Sequence, residues 1–97
     1  MLITAVVLIT TATDQIPEAA QAVSEIDGVS ECYSVAGDAD LVAMVRVREH
    51  EHLADVIANH ISKVPGVLAT STMIAFRAYS RHDLEATFAI GYERVAE

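Results

Sequence analysis

A short motif occurs twice in this chain, and its spacing limits the topologies open to it. Ile26-Asp27-Gly28-Val29 recurs as Val64-Pro65-Gly66-Val67, an offset of 38 residues. At the same offset Ala5, Val7 and Ile9 fall on Ala43, Val45 and Val47, while Ala20 and Val23 fall on Ala58 and Ile61. Each half therefore reads as strand, helix, strand. Two such units interleave into a four-stranded antiparallel sheet with both helices on one face, the β-α-β-β-α-β split arrangement. The expectation is an α+β, ferredoxin-like sandwich, and 97 residues make one domain rather than two.

Local signals place the elements. Leu2–Ile9 is a β-branched apolar run of strand length. Thr13 or Asp14 is suited to cap a helix that holds Pro17 in its first turn, carries Ile16, Ala19, Ala20, Val23 and Ile26 on one face, and stops at Asp27-Gly28. Val29–Ala36 and Leu41–Val47 are the next two strands, joined through Gly37-Asp38-Ala39, which has the composition of a tight turn. Leu53, Val56, Ile57, His60, Ile61 and Val64 mark a second amphipathic helix, ended by Pro65-Gly66. Val67–Tyr79 reads as a long fourth strand. The domain core thus spans residues 2–79, and residues 80–97 form an extension. There Ser80-Arg81-His82-Asp83 resembles a capping box, which predicts a short C-terminal helix, with an edge strand over Thr87–Tyr92 as the alternative.

Charge and composition exclude several classes. The net charge is −8, from 14 acidic and 6 scattered basic residues. No basic stripe is present to displace phosphate counterions, so direct nucleic-acid binding is not expected, nor is an anionic membrane surface. The first apolar run is too short to span a bilayer and has no positive flank of a signal peptide. Cys32 is the only cysteine, which suits a reducing, cytoplasmic location. At 53% hydrophobic residues, so small a domain has more apolar surface than one core can hold.

Alternation shows where the excess goes. In the first strand Ile3, Ala5, Val7 and Ile9 lie on one side, and Leu2, Val6 and Leu8 on the other. In the fourth, Leu68, Ile74 and Phe76 oppose Val67, Met73 and Ala75. Both sides are largely apolar, so the face without helices should be covered, most simply by an identical sheet about a two-fold axis. The C-terminal segment folding across it is the alternative.

Few residues offer chemistry. Asp38 and Asp40 flank a loop with backbone N–H donors and a carboxylate acceptor, which an amino acid requires, although turn chemistry alone also favours Asp there. Thr70 and Thr72 share one side of the fourth strand, where their hydroxyls could hold a carboxylate. Glu31, Tyr33 and Arg46 are placed for a polar cluster on the sheet. His52 and His60, about 12 Å apart along a helix, cannot share an ion, so no metal and no cofactor are expected. Cys32 reads as a small buried filler.

With these residues in hand, the chain resembles the RAM domain (regulation of amino-acid metabolism). That domain is the effector-binding half of the leucine-responsive/asparagine regulator family of prokaryotic transcription factors. The resemblance rests on Gly28-Val29, on Cys32-Tyr33-Ser34-Val35-Ala36-Gly37-Asp38-Ala39-Asp40-Leu41, on Leu53 to Ile61, and on Pro65-Gly66-Val67-Leu68-Ala69-Thr70-Ser71-Thr72. It implies a homodimer through the sheets, often assembled to an octamer, with small amino-acid effectors at the dimer–dimer boundary. Carried over residue by residue, it assigns ligand binding to Gly37, Asp38, Ala39, Asp40, Thr70 and Thr72. Loop N–H groups and Thr hydroxyls would hold the α-carboxylate, and Asp40 or backbone carbonyls the ammonium. Full regulators carry an N-terminal helix-turn-helix domain, which this sequence lacks. The expectation is therefore a stand-alone sensing domain, not an enzyme, that influences transcription through a partner such as a full-length regulator. The alternatives are a small dimeric enzyme of the α+β-barrel type, with His60 as its ionisable group, and a ligand-free oligomerisation adaptor.

Overall fold

The structure, a computed structural model, describes residues 2–79 and Arg81. Four strands, β1 (Ile3–Thr11), β2 (Val29–Ser34), β3 (Leu41–Val47) and β4 (Val67–Ile74), form one sheet in the order β2-β3-β1-β4. Every neighbouring pair is antiparallel. Two helical segments connect them. The first is α1 (Ile16–Ser24), and the second begins as α2 (His50–Asp55). This is the ferredoxin-like arrangement that the repeat predicted.

Burial follows the pleat. Ala5, Val7 and Ile9 of β1 face Val45, Ala43 and Leu41 of β3, and all six are inaccessible to solvent. Ala19 and Val23 of α1, Leu53 of α2, Val56 and Ile61 close over them. The core is thus one layer of small and β-branched side chains between sheet and helices. Such thin packing suits Ala and Val.

The repeated motif makes the same turn twice. Val29 N–H donates to Ile26 O at 3.0 Å, and Val67 N–H donates to Val64 O at 3.1 Å. Gly28 and Gly66 each sit at φ +98° within those turns.

Several boundaries differ from expectation. Thr13–Gln15 form a 3-10 turn ahead of α1, so neither Thr13 nor Asp14 caps the helix; Gln15 occupies that position without a side-chain hydrogen bond. β2 ends at Ser34 because Val35 N–H bonds Asp40 O at 3.0 Å and closes the loop. β4 stops at Ile74, short of the expected Tyr79; beyond it one bond to β1 remains, from Ala75 N–H to Thr4 O at 2.9 Å. The second helix is irregular. Val56–His60 adopt π geometry and Ile61–Lys63 a 3-10 turn. One extra residue in the hydrogen-bonded turn leaves Ile61 on the inward face, where it is fully buried, and turns His60, expected there with it, outside. The expected C-terminal helix lies outside the described residues, Arg81 apart.

Candidate functional site

The face of the sheet without helices carries Thr4, Val6, Leu8 and Thr10 of β1, opposite Arg46, Met44 and Val42 of β3. On the other flank Met73, Ser71 and Ala69 of β4 stand beside Val6, Leu8 and Thr10. Tyr33 pairs with Val42 at the outer edge. The face is apolar at its centre, as the sequence implied, and Tyr33 and Met73 are half exposed there.

One end of this face is polar and ordered by hydrogen bonds. Glu31 accepts from the Tyr33 hydroxyl at 2.7 Å and from the Ser30 hydroxyl at 2.7 Å. Arg46 joins them through an ion pair to Glu31 at 3.2 Å and a bond to the Ser30 oxygen at 2.5 Å. The Ser30 and Tyr33 hydroxyls, with Arg46 behind them, hold the Glu31 carboxyl below its usual range, and the same carboxylate raises the Tyr33 phenol. The cluster expected from Glu31, Tyr33 and Arg46 therefore exists. It is exposed and holds no buried ionisable group, so its visible role is to fix the rim.

The opposite end holds a cleft of about 220 Å³. Leu8 and Thr10 form its floor, Asp38 and Ala39 of the loop one wall, and Ala69, Thr70 and Ser71 the other. The loop is shaped by Gly37 at φ +141°, a conformation side chains resist although the space beside it is open. Its two closing bonds come from the N–H groups of Val35 and Asp40. The N–H groups of Gly37, Asp38 and Ala39 take no part in those bonds.

The structure brings Asp38, Ala39 and Thr70 to this cleft, and places Gly37 at the head of the same loop. Asp40 and Thr72 are elsewhere. The Asp40 carboxylate accepts the Thr11 N–H at 2.9 Å, so it braces the end of β1. Thr72 pairs with Val7 and Thr70, although it lines the edge of the cleft, with Ile9, both partners being on the side that carries the helices. The cause is a bulge. Thr11 opposes Val67 while Thr10 opposes Ala69, so Leu68 is an extra residue in β4 that shifts the phase by one. Ser71 is therefore the β4 hydroxyl on the cleft side, and Thr10 supplies a second from β1. Sequence reasoning singled out neither: the first strand was read only as far as Ile9, and the fourth-strand hydroxyls chosen were those of Thr70 and Thr72.

A larger cleft, about 470 Å³, lies at the other end of the sheet beside Arg46, Arg48, Glu49 and His52. Acid and base alternate around it, which defines no ligand charge. Among the described residues no three potential metal ligands gather, and no helix is long and apolar enough to cross a membrane. His60, the ionisable group the enzyme alternative required, pairs with Asp55 at 3.3 Å on the surface and is half exposed. Cys32 packs against the core, and burial pushes its thiol up.

Comparison with known proteins is consistent with this geometry. The family described as the Lrp/AsnC ligand binding domain matches residues 4–84. The HTH-type transcriptional regulator LrpA1 of Halobacterium salinarum is 38% identical over 65 residues, which cover 67% of this chain and 46% of that protein. LrpA of Pyrococcus horikoshii is 37% identical over 57 residues, 59% of this chain and 40% of that one. The chain thus spans less than half the length of these curated relatives. Among solved structures, TTHA0845 from Thermus thermophilus superposes with a TM-score of 0.77 at 44% identity, covering 81% of this chain and 99% of that chain. The feast or famine regulatory protein of M. tuberculosis, complexed with L-methionine, gives 0.69 at 32% identity, covering 81% and 54%.

Proposed function

The chain belongs to the Lrp/AsnC ligand-binding domain family, whose matched relatives are transcriptional regulators, and on that premise we propose that it binds a small α-amino acid in the cleft between the 35–40 loop and β4. The observation that carries this reading is the gathering of one carboxylate, Asp38, and two hydroxyls, Thr10 and Ser71, beside the apolar Leu8, Ala39 and Ala69. An α-amino acid presents a carboxylate that needs donors and an ammonium that needs an acceptor. The N–H groups of Gly37, Asp38 and Ala39, together with Ser71, supply donors; Asp38 supplies the acceptor. A volume of about 220 Å³ suits an amino acid rather than a larger metabolite.

In this reading the apolar face between the two polar ends seals against the same face of a second copy, dimers meet near the clefts to form larger rings such as an octamer, and ligand shifts that equilibrium by binding one assembly better. The domain acts in the cytoplasm without catalysing a reaction, and reaches DNA through a regulator with which it assembles. The complex of a relative with L-methionine makes that amino acid the first to try.

Thermal shift and calorimetry with a panel of amino acids, L-methionine included, test the reading. A binder at about 100 times its Kd should add about 2.7 kcal/mol of stability. If no amino acid raises the melting temperature at millimolar concentration, amino-acid sensing fails. Asp38→Ala should weaken binding and leave the assembly intact, whereas a ligand-free adaptor would show no binding to lose.

A further inference from the structure

Resting on that cleft, we propose that Asp40 is a positioning residue, holding the loop at a fixed height over β1 and not contacting the ligand. The regular pairing of β1 with β3 ends at Ile9 and Leu41. Beyond it, Asp40 N–H donates to Ile9 O at 2.9 Å, and the Asp40 carboxylate accepts the Thr11 N–H at 2.9 Å. One residue therefore grips β1 on both sides of Thr10, the residue that floors the cleft. The side chain takes over the ladder where the loop backbone has turned away.

The grip extends to the opposite wall. Ala12 N–H, next along the chain, donates to Gly66 O at 2.8 Å, in the turn that launches β4. Gly66 is itself confined, since a Cβ there would meet the Gln15 amide oxygen at 2.6 Å. The Thr11–Ala12 segment is thus tied to the loop by Asp40 and to β4 by Gly66. Those two ties set the distance between Asp38-Ala39 and Ala69-Ser71. Thr11 is 3% exposed, so little water competes for its N–H. The two aspartates of the loop divide the work: Asp38 faces the cleft, and Asp40 places it.

The test uses the full chain with two probes, L-methionine and its 2-hydroxy-acid analogue, which lacks the ammonium. Exchange of the Thr11 amide with solvent is followed in parallel. Asp40→Ala should weaken both probes by the same factor, about tenfold, and deprotect the Thr11 amide. Asp40→Asn keeps an oxygen acceptor and should restore both probes to within about threefold. It also covers the case in which Asp40→Ala does not fold. Loss of methionine affinity without loss of hydroxy-acid affinity, in either variant, would make Asp40 the ammonium acceptor and overturn the proposal. Unchanged Thr11 exchange in a folded Asp40→Ala protein would overturn it too. If neither probe binds the wild type, the amino-acid reading is in trouble, while Thr11 exchange still decides whether Asp40 is the brace.

Discussion

Gly28 and Gly66 hold the same backbone angle, φ +98°, in turns that precede β2 and β4, but different neighbours press on them. A Cβ on Gly28 would meet Val56 Cγ2 at 3.0 Å and Val47 Cγ1 at 3.3 Å, both branched side chains of the buried core. A Cβ on Gly66 would meet the end of the Gln15 side chain at 2.6 Å and its Cβ at 3.0 Å. The repeat therefore keeps the turn while changing what packs on it.

Alanine at either glycine should cost about 1–3 kcal/mol in denaturant unfolding, from the positive φ alone. Gly28→Ala should be the worse of the two, because both its close contacts are branched core valines, whereas the tightest contact at Gly66 is the movable end of the Gln15 side chain. Adding Gln15→Ala should recover part of the loss for Gly66→Ala and none for Gly28→Ala. Equal losses with no recovery would count against this account.

The π turn predicts an asymmetry between adjacent residues. Ile61→Ala should cost about 2–5 kcal/mol, as expected for a fully buried aliphatic side chain. His60→Ala should change stability by no more than about 0.5 kcal/mol, as at an exposed site. Urea midpoints of the two variants decide it.

The Glu31 cluster should be visible in titrations. The Tyr33 phenol titrates above its ordinary 10.0 because the Glu31 carboxylate accepts its hydrogen bond and its charge disfavours a phenolate beside it. Stability from this bond is present below pH 10.0 and is lost as pH rises through the folded value. Glu31 titrates below 4.5, held down first by Ser30 and then by Tyr33. Its contribution is present above pH 4.5 and disappears as pH falls through the lower folded value. Absorbance at the tyrosinate band should show Glu31→Gln returning Tyr33 toward 10.0; an unmoved midpoint would deny the bond.

Cys32 lies among core side chains with a raised thiol pKa. At neutral pH a disulfide reagent should label it far more slowly in the folded protein than in denaturant. Equal rates would mean that β2 peels from the sheet.

Charge on the open face should disrupt assembly before it disrupts folding. Val6 stands between Met44 and Met73 at the apolar centre. Val6→Lys should lower the mass seen by light scattering while far-UV circular dichroism is kept. An unchanged mass would place any contact between copies elsewhere.

Much of this molecule was legible because two periods dominate it. Alternation located Ala5, Val7 and Ile9 on the buried side, and the recurrence of Gly28 as Gly66 gave the topology. The missed features are single-residue insertions into a hydrogen-bond ladder. Leu68 slips β4 by one position, and the π turn at Val56–His60 slips the second helix. The first reverses which neighbours face inward and the second turns His60 out while Ile61 stays in; neither changes composition, so periodicity could not register them. For the cleft, the loop was readable from Gly37-Asp38-Ala39-Asp40. The separate tasks of its two aspartates were not, since the Thr11 amide comes from 29 residues away.

The bulge at Leu68 also acts as a selector of surface chemistry. Were β4 to continue from Val67 opposite Thr11 with Leu68 taken into the ladder, Thr70 and Thr72 would stand beside Leu8 and Val6, and Ser71 would turn away. Loss of the Ala69 codon with the bulge kept would have a similar effect, setting Thr70 beside Thr10 and Thr72 beside Leu8. Either event exchanges a single small hydroxyl for a pair of branched ones without substituting any residue. In this architecture the recognition surface is rewritten by length, and a gap in an alignment at that position carries as much information as a changed letter.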